Sequence, residues 1–252
     1  MTVTVLSNEN PRPGAADLRV RVDASAQRPR AGQFAHIACG DALLLRRPIS
    51  LCDCDEEAGV WRFVFEYKGP GTRYLAARKP GDTLDLLGPL GRGFTCEPEG
   101  PPTLLAGGGI GVPPLLLAAR RLTGAAHAVL GFRAAPLAVL TDELASLCAR
   151  TAFCSDDGSL GTREFTDAVV RRLLAETAYA RVLACGPRPM LRAVAEAARA
   201  AGVPCEVSLE ERMACGVGAC LACACRVGRE AGETFRRVCL DGPVFDAETV
   251  VW

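Results

Sequence analysis

LLAGGGIGVPPL, residues 104–115, compresses an apolar run, a glycine turn and a proline-led helix start into twelve positions. A strand that ends in glycine and opens a helix presents backbone N–H groups and a helix N-terminus to a phosphate. Prolines are tolerated in the first turn of such a helix. The pattern is G-G-G-I-G rather than G-x-G-x-x-G, and glycine-rich strand-to-helix turns also serve packing, so the stretch alone leaves both uses open. The segments downstream of it decide the fold. AVLGF (128–132), TAFCS (151–155) and RVLAC (181–185) read as buried strands, while 162–175 and 188–201 read as amphipathic helices. Alternating strands and helices predict a doubly wound α/β parallel sheet. A second strand end, ACGPRPMLRAV (184–194), again stops in Gly-Pro and opens a helix. Ligands of open α/β sheets bind at the C-terminal strand ends, so the two turns together predict a dinucleotide cleft.

Upstream the texture changes. LRVRV (18–22), QFAHIAC (33–39), VWRFVFEYKG (60–69) and DTLDLLGPLG (82–91) are short β-runs between Gly/Pro turns. They predict a small antiparallel β-barrel or sandwich, with CEPEGPP (96–102) as its boundary. RRPISLCD (46–53) sets Arg46 and Arg47 beside a Pro and a Ser, and EYKGPGTRYL (66–75) brings a Gly-Thr turn one strand later. Arginine can grip a pyrophosphate bidentately and a Gly-Thr turn offers N–H and O–H donors. The same features also fit a solvated arginine pair and an ordinary hairpin.

The chain has 252 residues, 49% of them hydrophobic, and 29 basic against 29 acidic side chains. That supports several small cores and gives no electrostatic footprint for nucleic acid. The N-terminus shows neither a basic n-region nor an apolar h-region, and no run approaches the roughly 20 apolar residues of a membrane span. A cytoplasmic location is therefore expected. Thirteen cysteines, an odd number, do not suggest a disulfide framework there, and most of the scattered ones are expected to be small buried hydrophobes.

The C-terminal cysteines are different. In ERMACGVGACLACACRV (211–227), Cys215, Cys220 and Cys223 give C-x4-C-x2-C, and Cys239 follows after fifteen residues. This is the plant-type [2Fe–2S] order, in which a glycine-rich loop wraps the cluster and the last cysteine arrives from a separate segment. Cys225 falls outside that set. Structural zinc is the competitor, but it usually pairs C-x2–4-C with a second close pair, and here the second half is a lone Cys239 with no nearby His. Three domains are expected: 1–98, a β-barrel; 99–205, the α/β unit; and 206–252, a small cluster domain.

The order of these motifs resembles the ferredoxin–NADP⁺ reductase superfamily and, within it, the electron-transfer subunits of class 1B dihydroorotate dehydrogenases. RRPIS, GPGT, GPLGRGF, AGGGIGVPPL, LGFR, SDDGSLGT, CGPRPM and SLEERMACGVGACLACACRV followed by VCLDGPVF carry the likeness across essentially the whole chain. The resemblance implies FAD on the barrel, held by Arg47, Pro48, Ile49 and Ser50, by Val64, Phe65 and Glu66, and by Gly71 and Thr72. It implies NAD at Gly107, Gly108, Gly109, Gly111, Cys185, Gly186 and Pro187, and cluster ligation by Cys215, Cys220, Cys223 and Cys239. Where the superfamily keeps a flavin-stacking tyrosine, this chain has Ile49; Glu66 stands where relatives often carry a base.

The same likeness implies a place in pyrimidine (UMP) biosynthesis, with electrons passing from FMN through [2Fe–2S] and FAD to NAD⁺. The FMN would sit in a separate catalytic subunit, since a TIM barrel of about 250 residues does not fit in this chain, and the family implies an α2β2 heterotetramer. No catalytic acid–base residue is needed, because the cofactors carry the chemistry; His36 and His127 lie outside any motif and are expected to be structural. The acids of SDDG favour NAD over NADP. Two alternatives stay open: an NAD(P)H-oxidising flavin and iron–sulfur subunit of a ferredoxin-, sulfide- or hydrogenase-linked complex, and a non-catalytic module with structural zinc.

Overall fold

Seven strands come from the first ninety residues: β1 (Thr2–Glu9), β2 (Ala15–Arg21), β3 (Phe34–Ile37), β4 (Arg47–Ser50), β5 (Asp53–Asp55), β6 (Val60–Glu66) and β7 (Thr83–Leu90). They form one sheet in the order β4-β3-β7-β1-β2-β6-β5, and every pairing in it is antiparallel. The end strands β4 and β5 are joined through Leu51 and Cys52 alone, so the sheet has to curl until its ends meet. The Leu51 N–H donates to the Gln33 carbonyl at 3.0 Å and the Cys52 N–H to that of Arg62 at 2.9 Å. Closure of this kind removes the exposed edges an open sheet would leave. Alternate residues such as Val3, Val5, Leu84 and Leu86 face inward and are buried, as the period-two side-chain pattern requires. A short helix, α1 (Pro70–Ala76), follows β6 and buries Leu75.

The structure, a computed structural model, describes residues 1–252 apart from Ala24, Pro98, Gly124, Ala125, Glu230 and Ala231, and Arg229 by its backbone alone. The expected boundary after residue 98 falls on Pro98 and so lies outside the described residues.

From Thr103 the chain alternates: β8 (Thr103–Gly108), α2 (Pro113–Arg121), β9 (Ala126–Phe132), α3 (Thr141–Leu147), β10 (Arg150–Ser155), α4 (Thr166–Glu176), β11 (Arg181–Cys185), α5 (Arg188–Ala200) and β12 (Cys205–Ser208). A hairpin of β13 (Ala224–Arg229) and β14 (Gly232–Arg237) precedes β15 (Val244–Asp246). The sheet order is β10-β9-β8-β11-β12-β15, parallel up to β12 and antiparallel between β12 and β15. All six residues of β8 are buried, as a central parallel strand covered on both faces demands. Leu104 and Ala106 pack with α4 and α5 on one face, and Leu105 packs with α2 and α3 on the other.

Two sequence expectations shift. The helix expected over 162–175 begins at Thr166. The line expected between 205 and 206 cuts through β12, and β15 returns the C-terminal segment to the same sheet. Cys223, Cys225, Val238 and Cys239 share a core with α4 and α5, so this segment is built onto the α/β unit. No described helix is long and apolar enough to cross a membrane.

Barrel and α/β unit are clamped by charge. The Arg62 guanidinium on β6 donates to Asp17 on β2 (2.6–3.1 Å) and to Glu143 on α3 (2.7 and 2.9 Å). Removing one member of a buried pair strands the other's charge. Arg62→Ala is therefore expected to lower stability by about 3 kcal/mol, read as a drop in the urea midpoint; an unchanged midpoint would exclude the clamp. Pairing with Arg62 lowers the Glu143 pKa. That contribution is thus full above the ordinary Glu range and is lost as pH falls through the lowered folded value.

Candidate functional site

In the parallel sheet the chain leaves β8 for β9 and β10 on one side and returns to β11 on the other. The C-terminal ends of β8 and β11 therefore flank a switch-point crevice, and Gly107 lies beside Cys185 in register. Beyond β8 the backbone turns tightly over Gly109–Gly111 before α2 begins. A Cβ on Gly111 would lie 2.5 Å from the backbone of Cys185 and Gly186, so only glycine lets these strand-end loops approach so closely. The resulting cleft, ≈ 740 Å³, is lined by Gly108, Gly109, Gly111, Gly186 and Pro187, with Asp156, Glu164 and the exposed Phe165 also along its wall. Gly107 is instead packed behind the loop, facing Val112 and Leu115.

A second cavity of ≈ 250 Å³ lies against the barrel. Pro48, Ile49 and Ser50 of β4, Val64, Phe65 and Glu66 of β6, and Thr72 of α1 form its barrel wall; Ile110, Cys185 and Leu209 face them from the α/β unit. The lining is mainly apolar, with Ser50, Thr72, Glu66, Lys68 and Glu210 among its polar groups, a mixture that suits a conjugated ring with a polar edge. Cys185 thus fronts this second cavity rather than the cleft, and burial raises its thiol to about 12. Glu66, Lys68, Ile110 and Glu210 border both spaces, which places the two next to each other.

Arg47 and Gly71 are brought together beside this cavity: a Cβ on Gly71 would lie 2.4 Å from Arg47 Nε. Thr72 Oγ1 accepts the N–H groups of Lys68 and Gly69 at 2.8 and 3.1 Å, shaping the turn. Sequence reasoning missed Arg12, which carries no motif. From the β1–β2 turn it donates to Glu66 at 2.6 Å, with its own side chain 7% exposed. It supplies the positive charge beside a position that here is acidic.

The cysteine loop is organised by N–H groups aimed at sulfur. Those of Val217, Ala219 and Cys220, with the Cys220 thiol, lower the Cys215 pKa to about 6. The Gly218 N–H donates to Cys239 Sγ at 3.2 Å and the Cys239 N–H to Cys223 Sγ at 3.4 Å. Gly216 (φ +72°) and Gly218 (φ +83°) hold left-handed backbone that side-chain-bearing residues disfavour. The four thiols fall in two pairs, Cys215 with Cys220 and Cys223 with Cys239. Four gathered thiols with converging N–H donors fit the ligand set of a two-iron centre. Cys225 is buried nearby, its thiol raised chiefly by burial.

His36 is also placed here, although it stands in no sequence motif. It is fully buried on β3, and a Cβ on Gly216 would lie 2.4 Å from its Nδ1. Burial, then the Arg46 charge, lowers its pKa. His127 lies elsewhere, its Nδ1 2.8 Å from the Tyr179 hydroxyl.

Residues 210–251 match the family described as the iron-sulfur cluster binding domain of dihydroorotate dehydrogenase B. The chain is 47% identical over 229 residues to the electron transfer subunit of dihydroorotate dehydrogenase B (NAD(+)) from Bacillus caldolyticus, covering 87% of this chain and 86% of that protein. It is 37% identical to the corresponding subunit of Caldanaerobacter subterraneus subsp. tengcongensis, over 100% of this chain and 98% of that one. Among solved structures, an NADH-dependent reduced ferredoxin-NADP oxidoreductase studied for flavin-based electron bifurcation superposes with a TM-score of 0.88 at 29% identity, over 99% of this chain and 90% of the other. A ferredoxin NADP+ reductase from Neisseria gonorrhoeae with bound FAD and NADP shares the fold, with a TM-score of 0.66 at 17% identity over 80% of this chain and 91% of the other.

Proposed function

Since the chain belongs to the family of electron-transfer subunits of NAD(+)-linked dihydroorotate dehydrogenase B, we propose that it carries electrons from the FMN of a dihydroorotate-oxidising partner subunit, by way of a [2Fe–2S] cluster and FAD, to NAD⁺ in pyrimidine biosynthesis. The observation that carries this reading is the presence in one chain of a mainly apolar barrel cavity, a glycine-walled cleft that borders it, and a thiol loop with N–H donors packed against the barrel at His36. When bound, FAD supplies the conversion between a hydride exchanged with NAD and single electrons exchanged with the cluster.

The chain's own residues bind and orient. Residues 1–98 would hold FAD: Pro48, Ile49, Val64 and Phe65 wall the ring, Ser50 and Thr72 offer hydroxyls, and Arg47 with Gly71 meets the pyrophosphate. Glu66 is fixed in place by Arg12. Residues 99–205 would hold NAD, with Gly108, Gly109 and Gly111 facing Gly186 and Pro187 across the cleft; Gly107 acts behind them by letting the turn pack on α2. Cys185 lines the flavin side and Ile110, which borders both spaces, excludes water where ring and nicotinamide would meet. Residues 206–252, with β12 and β15 anchored in the sheet, would hold the cluster through Cys215, Cys220, Cys223 and Cys239. Loop N–H groups offset part of the thiolates' negative charge. No acid–base side chain is assigned a catalytic role.

The partner is the FMN-containing catalytic subunit, in an α2β2 assembly, and the place of work is the cytoplasm. A reading as the NAD(P)H-oxidising subunit of another complex has the ferredoxin-NADP oxidoreductase likeness in its favour; identities of 47% and 37% to the dihydroorotate subunits weigh more. Mixing the holo-chain with that catalytic subunit is expected to give dihydroorotate-dependent NAD⁺ reduction that the catalytic subunit alone lacks, and a particle with the mass of a heterotetramer. No gain in NAD⁺ reduction on mixing would reject the reading.

A further inference from the structure

His36 sits in the middle of β3, paired with Pro48 on β4 and Leu87 on β7. Residues two apart on a strand share a face, and Phe34, two residues before it, lines the barrel cavity, as does its strand partner Pro48. The imidazole is fully buried, and neither ring nitrogen has a hydrogen-bond partner among the described residues. A buried polar group left unpaired is costly and calls for a reason. The ring faces the backbone of Cys215 and Arg46 and abuts Gly216, the one residue type whose left-handed backbone and missing Cβ admit it. On the strand's own backbone, Arg46 Nη1 donates to the His36 carbonyl at 3.3 Å and to that of Asp85 at 3.0 Å, tying β3 to β7.

We infer that His36 is a positioning residue for the cluster: its buried ring, packed against Gly216 and offering an otherwise unpaired nitrogen toward the Cys215 backbone, seats that end of the cysteine loop on the barrel strand that also walls the flavin cavity. It thereby sets how the two redox sites are held relative to one another. The inference rests on the proposed [2Fe–2S] and FAD reading and adds a residue that neither the cysteine spacing nor the flavin motif contains.

The test uses the full chain, purified anaerobically with its cofactors, as wild type, His36→Leu and His36→Gln. Iron and FAD content, the visible circular dichroism of the cluster and its lifetime in air are measured. His36→Leu is expected to keep FAD, to change the cluster dichroism and to bleach about 10-fold faster, the scale seen when an outer partner of a metal ligand is removed. His36→Gln, which keeps a donor, should restore both signals most of the way. An unchanged His36→Leu protein, or equal damage in both variants, would overturn the inference, the latter reducing His36 to packing. Should the leucine variant not fold, Gly216→Ala drives a methyl at the ring from the loop side. It should shorten the cluster lifetime with FAD intact, and an unaltered lifetime would count against the contact. Wild type lacking iron would instead reject the cluster reading itself, so the two failures are distinguishable.

Discussion

Cys223→Ser is expected to strip the chain of its iron while leaving FAD bound and reducible by NADH. Cys223 is 2% exposed and packs in the core beneath the loop, and its sulfur receives the Cys239 N–H. A serine oxygen is harder and its reach shorter, so one of the two dithiol pairs is lost and the remaining pair, Cys215 with Cys220, cannot hold a two-iron centre alone. The residues that wall the flavin cavity belong to β4, β6 and α1 and do not depend on that sulfur. Electron delivery to the partner should fall by at least about 100-fold, on the scale of losing a metal ligand rather than an outer contact. Iron and flavin analysis of the purified variant reads the result. Loss of FAD together with iron from a folded chain would mean that the two sites are not separable.

The second large effect is at the switch point. Gly111→Ala would put a methyl 2.5 Å from the Cys185 carbonyl and the Gly186 nitrogen, where the obstacle is backbone at a strand end and cannot swing aside. The two loops that border the cleft would have to part. A misplacement of about 1 Å at a hydride-transfer site is worth about 100-fold in rate, so kcat/KM for NADH should drop by that order with FAD and iron unchanged. Gly202→Ala, outside the cleft, is the natural control, because a Cβ there meets nothing within 4 Å and the change carries only the strain of φ +69°. Equal effects at the two positions would argue against loop separation as the cause.

Much of the fold and site was legible in the sequence because it rests on local pattern. The strand, glycine turn and helix of 104–115, and C-x4-C-x2-C with a distant fourth cysteine, are each written in consecutive residues. The features that stayed hidden depend on pairing between distant segments. Strands β12 and β15, of four and three residues, are too short to show a period, so the C-terminal segment looked separate when it adds an antiparallel edge strand to the parallel sheet. Arg12 and His36 stand in no motif; each acquires a role only when the barrel brings it to Glu66 or to Gly216. Phe165, at the start of α4, lies in the cleft although the periodicity placed the helix start earlier.

The measurement that bears most directly on the central claim is an anaerobic absorption spectrum of the purified chain with iron, zinc and flavin analysis, followed by titration with NADH. The proposed ligand set, Cys215, Cys220, Cys223 and Cys239, together with the barrel cavity, predicts about two irons and one FAD per chain, with the flavin absorbance bleached by NADH. Zinc in place of iron, with no flavin, would contradict the account and leave a structural module in its place.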